Sequence, residues 1–402
     1  MRRLGLKKSM IEYSECIVYL ETFEKVGDGV VDAYIDFRQR KDFLLFSRAT
    51  RYDNSSATVI ELRSLSSAKR LRRGCYYNLN LKLLKDYQLT KVDYSLLIGA
   101  IIDLSAMPVP IDDDTELLQK HEPLDAEDLS MRNIPQNALF EHIQGNDMRL
   151  FVKDVDQANW NELRQGDRVK VVYDIGARLK AKRQEVEMIL NSRRPDIERD
   201  KPILVISHWD LDHIHCLKYF NENDIQKCFS KIVCPDKIKS MTAGDVFVKF
   251  RNALGVANVY CLPVPARTNG VTVHHWRSEG CVSLYQGEQS SNINFAGLLM
   301  FVKGGNKSAN YTGDCRLAQA KDAYDKERAK GIATNEHVLV APHHGGDYDA
   351  KYRLYSLPCD EIIISVGVGN GYGHPHKEMK NYLMSLGSVE MTMDIGEILK
   401  DL

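Results

Sequence analysis

The chain reads as an α/β protein in two parts, a β-rich first third followed by a larger region in which strands and helices alternate. Three features of the sequence predict this. Short apolar or alternating runs at 30–37, 43–48, 57–62 and 76–83, with turn residues between them, read as strands of a small barrel or sandwich. Further on, a strand pattern at 168–173 is followed by a basic segment, 178–194. This carries Leu179, Val186, Ile189 and Leu190 at helical spacing and leads into the strand 203–206. Strand, helix, strand is the pattern of an α/β layer. Finally, Ile203-Leu-Val-Ile206 is short, continuous and aliphatic, as a buried strand should be, and it ends abruptly in polar residues.

Bulk properties bound the function classes. At 402 residues the chain is long enough for two domains. With 44% hydrophobic and 27% charged residues it is globular rather than disordered. A net charge of −1 neither requires nor excludes a phosphate-bearing partner. The 9 cysteines are scattered, with no Cys-x-x-Cys pair, which suits a reducing cytoplasm. No apolar signal core follows the basic start, and no run approaches the ~18 apolar residues of a spanning helix. The sequence therefore predicts a cytoplasmic protein with no membrane partner.

In the first third, Gly27-Asp28-Gly29 and Asp53-Asn54-Ser55-Ser56 are expected turns. A basic turn from Lys69 to Arg73, ahead of a strand opening on Tyr76 and Tyr77, resembles an OB-like barrel, a fold that often binds single strands. The same residues suit a solvated turn or a face that docks a protein partner. An acidic, proline-punctuated stretch follows. The expected division is a recognition or partner domain over 1–125, a linker over 126–147 and a second domain over 148–402.

The second domain carries the chemistry. His208, Asp210, Asp212 and His213 fall within six residues directly after a core strand. Four such side chains near a core need partners, since unpaired buried polar groups are costly. Imidazole and carboxylate are the usual ligands of divalent ions, so a metal pair supplies those partners. Around this cluster stand Asp174-Ile-Gly176, Asn294-Phe-Ala-Gly297, Gly313-Asp314, Pro342-His343-His344-Gly345 and a terminal loop, Ser365-Val-Gly through Tyr372-Gly-His374-Pro375. Pro375 suits the first turn of a helix, which would put His374 at a helix N-terminus, where phosphate is favoured. A dinucleotide fingerprint is rejected for this loop, because that motif belongs to the first strand–helix turn of its fold.

Taken in order, these motifs resemble the metallo-β-lactamase fold. The His-x-Asp-x-Asp-His spacing is similar to that in the hydrolase domain of ComEC-type competence proteins. The resemblance covers about 148–400 and departs from the family where Asp156 and Ala158 stand for two glycines and Gly297 stands for a serine. It implies an αββα sandwich with two divalent ions, manganese or zinc, with magnesium also open. Metal one would take His208, Asp210 and, as a candidate third ligand, Asn294. Metal two would take Asp212, His213 and either His343 or His344. Asp314 would bridge the two, and Asp174 would orient ligands from behind.

The implied activity is phosphodiester hydrolysis by a metal-bridging hydroxide, with Asp212 and His374 catalytic and DNA or RNA as substrate. Phage defence would suit a cytoplasmic enzyme of that kind. Hydrolysis of a small ester, lactone or cyclic nucleotide is the enzymatic alternative. A binding or scaffold protein with a vestigial site is the other class.

Overall fold

The computed structural model describes residues 15–53, 58–66, 71–84, 87–94, 97–105, 117–120, 139–144, 146–268, 273–290, 292–346, 357–370 and 372–402. The expected turn at 54–56, residues 69–70 of the basic turn, Gly371 and most of the acidic linker lie outside them. The described residues form a mixed α/β structure with three seven-stranded sheets.

The first sheet runs in the order Leu89–Tyr94, Ile98–Asp103, Val59–Leu65, Val30–Phe37, Glu15–Gly27, Cys75–Asn80, Leu118–Lys120. The turn expected at 27–29 closes its central hairpin, with Gly27 opposite Val30. The described residues do not show the expected closed OB-like barrel. The two edge strands each pair on one side only among the described residues, so the sheet stays open.

One expected strand is also corrected, because 43–48 lies within the helix Arg40–Thr50. Phe43 and Phe46, three apart on one helical face, both pack on Phe37, at ring distances of 5.3 and 5.0 Å. Asp42 in the first turn accepts the Ile17 N–H at 3.0 Å, which ties the helix to the first strand. These are long-range contacts that a local apolar run does not reveal.

The second sheet runs Val259–Leu262, Lys231–Pro235, Ile203–Val205, Arg168–Tyr173, Asn161–Gln165, Met148–Val152, Ile398–Asp401. The third runs Val273–Glu279, Val282–Gly287, Leu298–Lys303, Lys307–Tyr311, Glu336–Val340, Glu361–Ile364, Ser388–Met391. Each is parallel in one half and antiparallel in the other.

Side-chain alternation explains how they are covered. Ile203 and Val205 point into a core shared with Leu284, Met300 and Val338 of the third sheet. Leu204 and Ile206 point the other way, into a second core with Val186 and Leu190 of the helix Arg183–Asp200 and Phe247 and Phe250 of the helix Met241–Leu254. The outer face of the third sheet, through Leu339 and Ile362, meets the helices Leu317–Ala329 and Lys377–Leu386. Leu139, Phe140 and Ile143, within the expected linker, are buried in the shared core.

The first sheet packs on the same helical layer. Tyr34, Val59, Leu97 and Ile98 join its core, and Asp36 accepts the Thr242 N–H at 3.0 Å. This contact brings the strand Glu15–Gly27 beside the loop that follows Ile203–Val205.

Candidate metal centre

The site grows out of the ends of Arg168–Tyr173 and Ile203–Val205. Asp174, directly after the first of these, adopts φ 62° and is fully buried. One of its oxygens accepts the Ser207 N–H at 2.7 Å. The other accepts Ser207 Oγ at 2.7 Å, Asn159 Nδ2 at 2.8 Å and His213 Nδ1 at 2.8 Å. An imidazole whose Nδ1 gives its proton to a carboxylate has Nε2 available as a ligand, and its ring is fixed in direction.

His213 Nε2 faces Asp314 at 3.0 Å. Asp314 is the hub of the pocket, because its carboxylate also meets His343 Nδ1 at 2.6 Å, His208 Nε2 at 3.7 Å and His344 Nε2 at 3.9 Å. Burial alone would raise its pKa, but the facing charges of His343, His213 and His208 hold it well below the usual carboxylate range. Burial likewise opposes ionisation of Asp212, yet His213 and the hydrogen bond from His344 bring its pKa down to about 2. His208 drops to about 3 because burial and the neighbouring His213 outweigh the carboxylates of Asp314 and Asp174.

His343 and His344 do not alternate as adjacent strand residues would. Both take left-handed conformations, φ 51° and 54°, in a tight turn, and both rings face Asp314. His344 Nδ1 donates to the Ser365 carbonyl at 2.8 Å, which leaves Nε2 toward Asp212 at 3.4 Å. Two groups of potential ligand atoms lie within coordinating reach of one another, His208 with His213 and Asp314, and Asp212 with His213 and His344. Among the described residues, buried Nε2 atoms of His208 and His213 and Oδ1 of Asp314 have no hydrogen-bond partner. A cation would satisfy them, and the donors present fit a divalent ion.

Asp210 and Asn294 meet each other beside His208, whose Nε2 lies 3.4 Å from Asp210 Oδ2. Asn294 Nδ2 donates to Asp210 Oδ2 at 2.6 Å, so the amide nitrogen faces the carboxylate. The other oxygen, Asp210 Oδ1, forms a direct ion pair with Lys239 and accepts from Tyr19 OH at 3.5 Å. The ammonium also reaches Glu21 Oε2 and Tyr19 OH, each at 3.2 Å. Burial lifts the Glu21 carboxyl to about 7 against the opposing charge of Lys239, and burial lowers Lys239 against Glu21 and Asp36.

His374 reaches the pocket by a route other than the expected one. The helix begins at Lys377 with His376 at its cap, so His374 is not at the helix N-terminus. Asn370 holds it instead, accepting its N–H at 3.0 Å and donating to its carbonyl at 2.7 Å. Its ring lies parallel to Tyr372 at 6.0 Å, and burial, with His343 and His344 adding to it, lowers its pKa to about 2.

Glu21 and Thr22 of the first sheet, and Arg73 in the turn before Cys75–Asn80, line the same pocket. The Arg73 guanidinium lies 4.7 Å from the Tyr372 ring centroid. Arg73 had a local signal, the basic run ending in Gly74, whereas Lys239, Glu21 and Tyr19 had none. A lysine after a strand reads as solvated until its distant partners are known.

No family model matches the chain, and no curated protein matches it. A solved structure of a CmlA beta-hydroxylase mutant is similar at a TM-score of 0.34 and 12% identity, over 64% of this chain and 54% of that one. A likeness that slight carries no argument about fold or chemistry. Among the described residues, no helix is long and apolar enough to cross a membrane.

Proposed function

We propose that the chain is a metal-dependent phosphodiester hydrolase of the ComEC-type metallo-β-lactamase class, its two facing sheets forming the αββα sandwich, and that its substrate is DNA or RNA. The convergence of His208, His213, Asp212 and His344 on Asp314 is the observation that carries this reading.

His213, Asp314, Asp212 and His344 would hold the ion. When bound, a divalent cation supplies Lewis acidity toward a phosphoryl oxygen and makes water more acidic. Asp212, ionised down to about pH 2, orients the attacking water and accepts its proton. With so low a pKa, His374 is neutral at neutral pH and serves as an N–H donor to a phosphate oxygen rather than as an acid. Arg73 adds a guanidinium suited to phosphate at the pocket wall.

The test is cleavage of labelled single-stranded DNA, duplex DNA and RNA with added manganese, beside Asp212→Ala/His213→Ala. Metal-dependent cleavage that disappears in the double variant is the expected result. A metal-loaded protein that cuts none of the three polymers would remove nuclease activity from consideration.

A further inference from the structure

We propose that Lys239 fills the first of the two cation positions expected in this pocket, that the centre therefore takes a single divalent ion, and that the N-terminal sheet fixes the lysine there. This rests on the metal-centre reading above but not on which polymer is cut.

Asp210 is the ligand that a first metal would need, and both of its oxygens are already engaged. Lys239 and the Tyr19 hydroxyl take Oδ1, and the Asn294 amide takes Oδ2, with His208 Nε2 3.4 Å from that same oxygen. The lysine is no passing neighbour. Its side chain is 0% exposed, it bonds Glu21 and Tyr19 at 3.2 Å each, and it lies 4.3 Å from the Tyr19 ring centroid. Its own carbonyl accepts the Tyr76 hydroxyl at 2.7 Å, so the backbone is pinned as well. All three contacts come from adjacent strands of the first sheet, Glu15–Gly27 and Cys75–Asn80. A buried ammonium persists only where it is paired, and of the acids that pair it Glu21 comes from the first sheet and Asp210 from the segment after Ile203–Val205.

The ligand geometry points the same way. Both groups capable of holding an ion include His213. With Nδ1 committed to Asp174, His213 has one lone pair to offer, on Nε2, and so binds one ion. A second dication beside Asp210 would also sit next to the ammonium, in a buried pocket where like charges repel strongly. Lys239 provides the compensating charge without offering an open coordination position.

The experiment is a metal count on the full chain, stripped with a chelator, reloaded with Mn²⁺ and freed of excess, with electron paramagnetic resonance on the same samples. The unmodified chain is expected to hold about one ion with the spectrum of an isolated centre, where a two-metal enzyme holds about two. Lys239→Met should raise the count to two and give the spectrum of a spin-coupled pair, while Lys239→Arg should leave it at one. Two ions with a coupled spectrum in the unmodified chain would overturn the proposal, as would a count of one in a folded Lys239→Met. If that variant does not fold, the unmodified count still decides. One bound ion without cleavage of any polymer would reject the nuclease reading and leave this proposal standing. No bound manganese at all would reject the metal centre and this proposal with it.

Discussion

Asp210 caps the short helix Leu211–Ile214 and Asp212 lies in its first turn, yet the two meet different surroundings. Asp212 faces imidazoles, with His344 Nε2 at 3.4 Å and His213 Nε2 at 3.9 Å, whose lone pairs can be shared with a cation. Asp210 faces Lys239, the Asn294 amide and the Tyr19 hydroxyl, which are donors already, beside one imidazole, His208 Nε2 at 3.4 Å. The lesson is that a ligand motif specifies what the loop offers, while the elements packed against it decide whether a metal or a protein cation answers. On the Asp212 side those elements belong to the two facing sheets. On the Asp210 side the first sheet intrudes.

The largest expected effect lies at the hub both sides share. Asp314→Ala removes the carboxylate that four histidines surround. Manganese should no longer be retained through gel filtration, and cleavage should fall by about a thousandfold or more, the scale on which positioned charged groups act. A variant that still binds manganese tightly would show that Asp314 is not the hub.

The two motif carboxylates should then separate by readout. Asp210→Asn leaves the buried Lys239 short of a counter-charge, so urea unfolding of the metal-free protein should show a loss of about 3–5 kcal/mol. Asp212→Asn removes a more exposed group and should cost less stability but more manganese affinity by calorimetry. The reverse ordering would place the metal on the Asp210 side and break the comparison.

That contrast also marks how far the sequence could be read. Strand ends are local, so Ile203–Val205, the cluster after it, Asp174, Asp314 and the His343–His344 turn were legible as apolar runs that stop in ligand-type residues. The helix Arg40–Thr50 was not, because its apolar residues satisfy either period over so short a run and only Phe37 and Ile17 decide between them. Nor could spacing reveal that a lysine 29 positions beyond Asp210 would be buried against it, since that contact depends on how one sheet docks on another. The choice between His343 and His344 was equally hidden, since it turns on two successive left-handed residues and on the Ser365 carbonyl.

A smaller effect is expected at Asp174, which touches no open position of the pocket and acts through His213. Asp174→Asn keeps the size of the side chain but weakens its hold on His213 Nδ1. Manganese affinity should fall about 10- to 100-fold, the range for partners that orient metal-binding histidines. An unchanged affinity would mean that the ring is fixed by packing alone.

The smallest effect belongs to a histidine that tests the electrostatic side of the comparison away from the pocket. His337 is buried, shares a hydrogen bond with Ser308 Oγ at 2.8 Å through Nδ1, and packs on Phe301 and Tyr324. Among the described residues no carboxylate pairs with its ring, and burial lowers its pKa from 6.5 to about 3. His344 experiences the same burial, but Asp212 and Asp314 outweigh it and its pKa rises. A depressed histidine favours the fold above the unfolded value of 6.5, and that contribution is lost as pH falls from there toward about 3. The slope is about 1.4 kcal/mol per pH unit once the unfolded histidine is mostly protonated. Between pH 7.5 and 5.5 the unmodified protein should therefore lose about 1 kcal/mol more stability than His337→Asn does, read from urea midpoints in chelator. Equal losses would mean that the buried imidazole takes up a proton as readily as the unfolded one. Burial would then not be what sets His337 apart from His344.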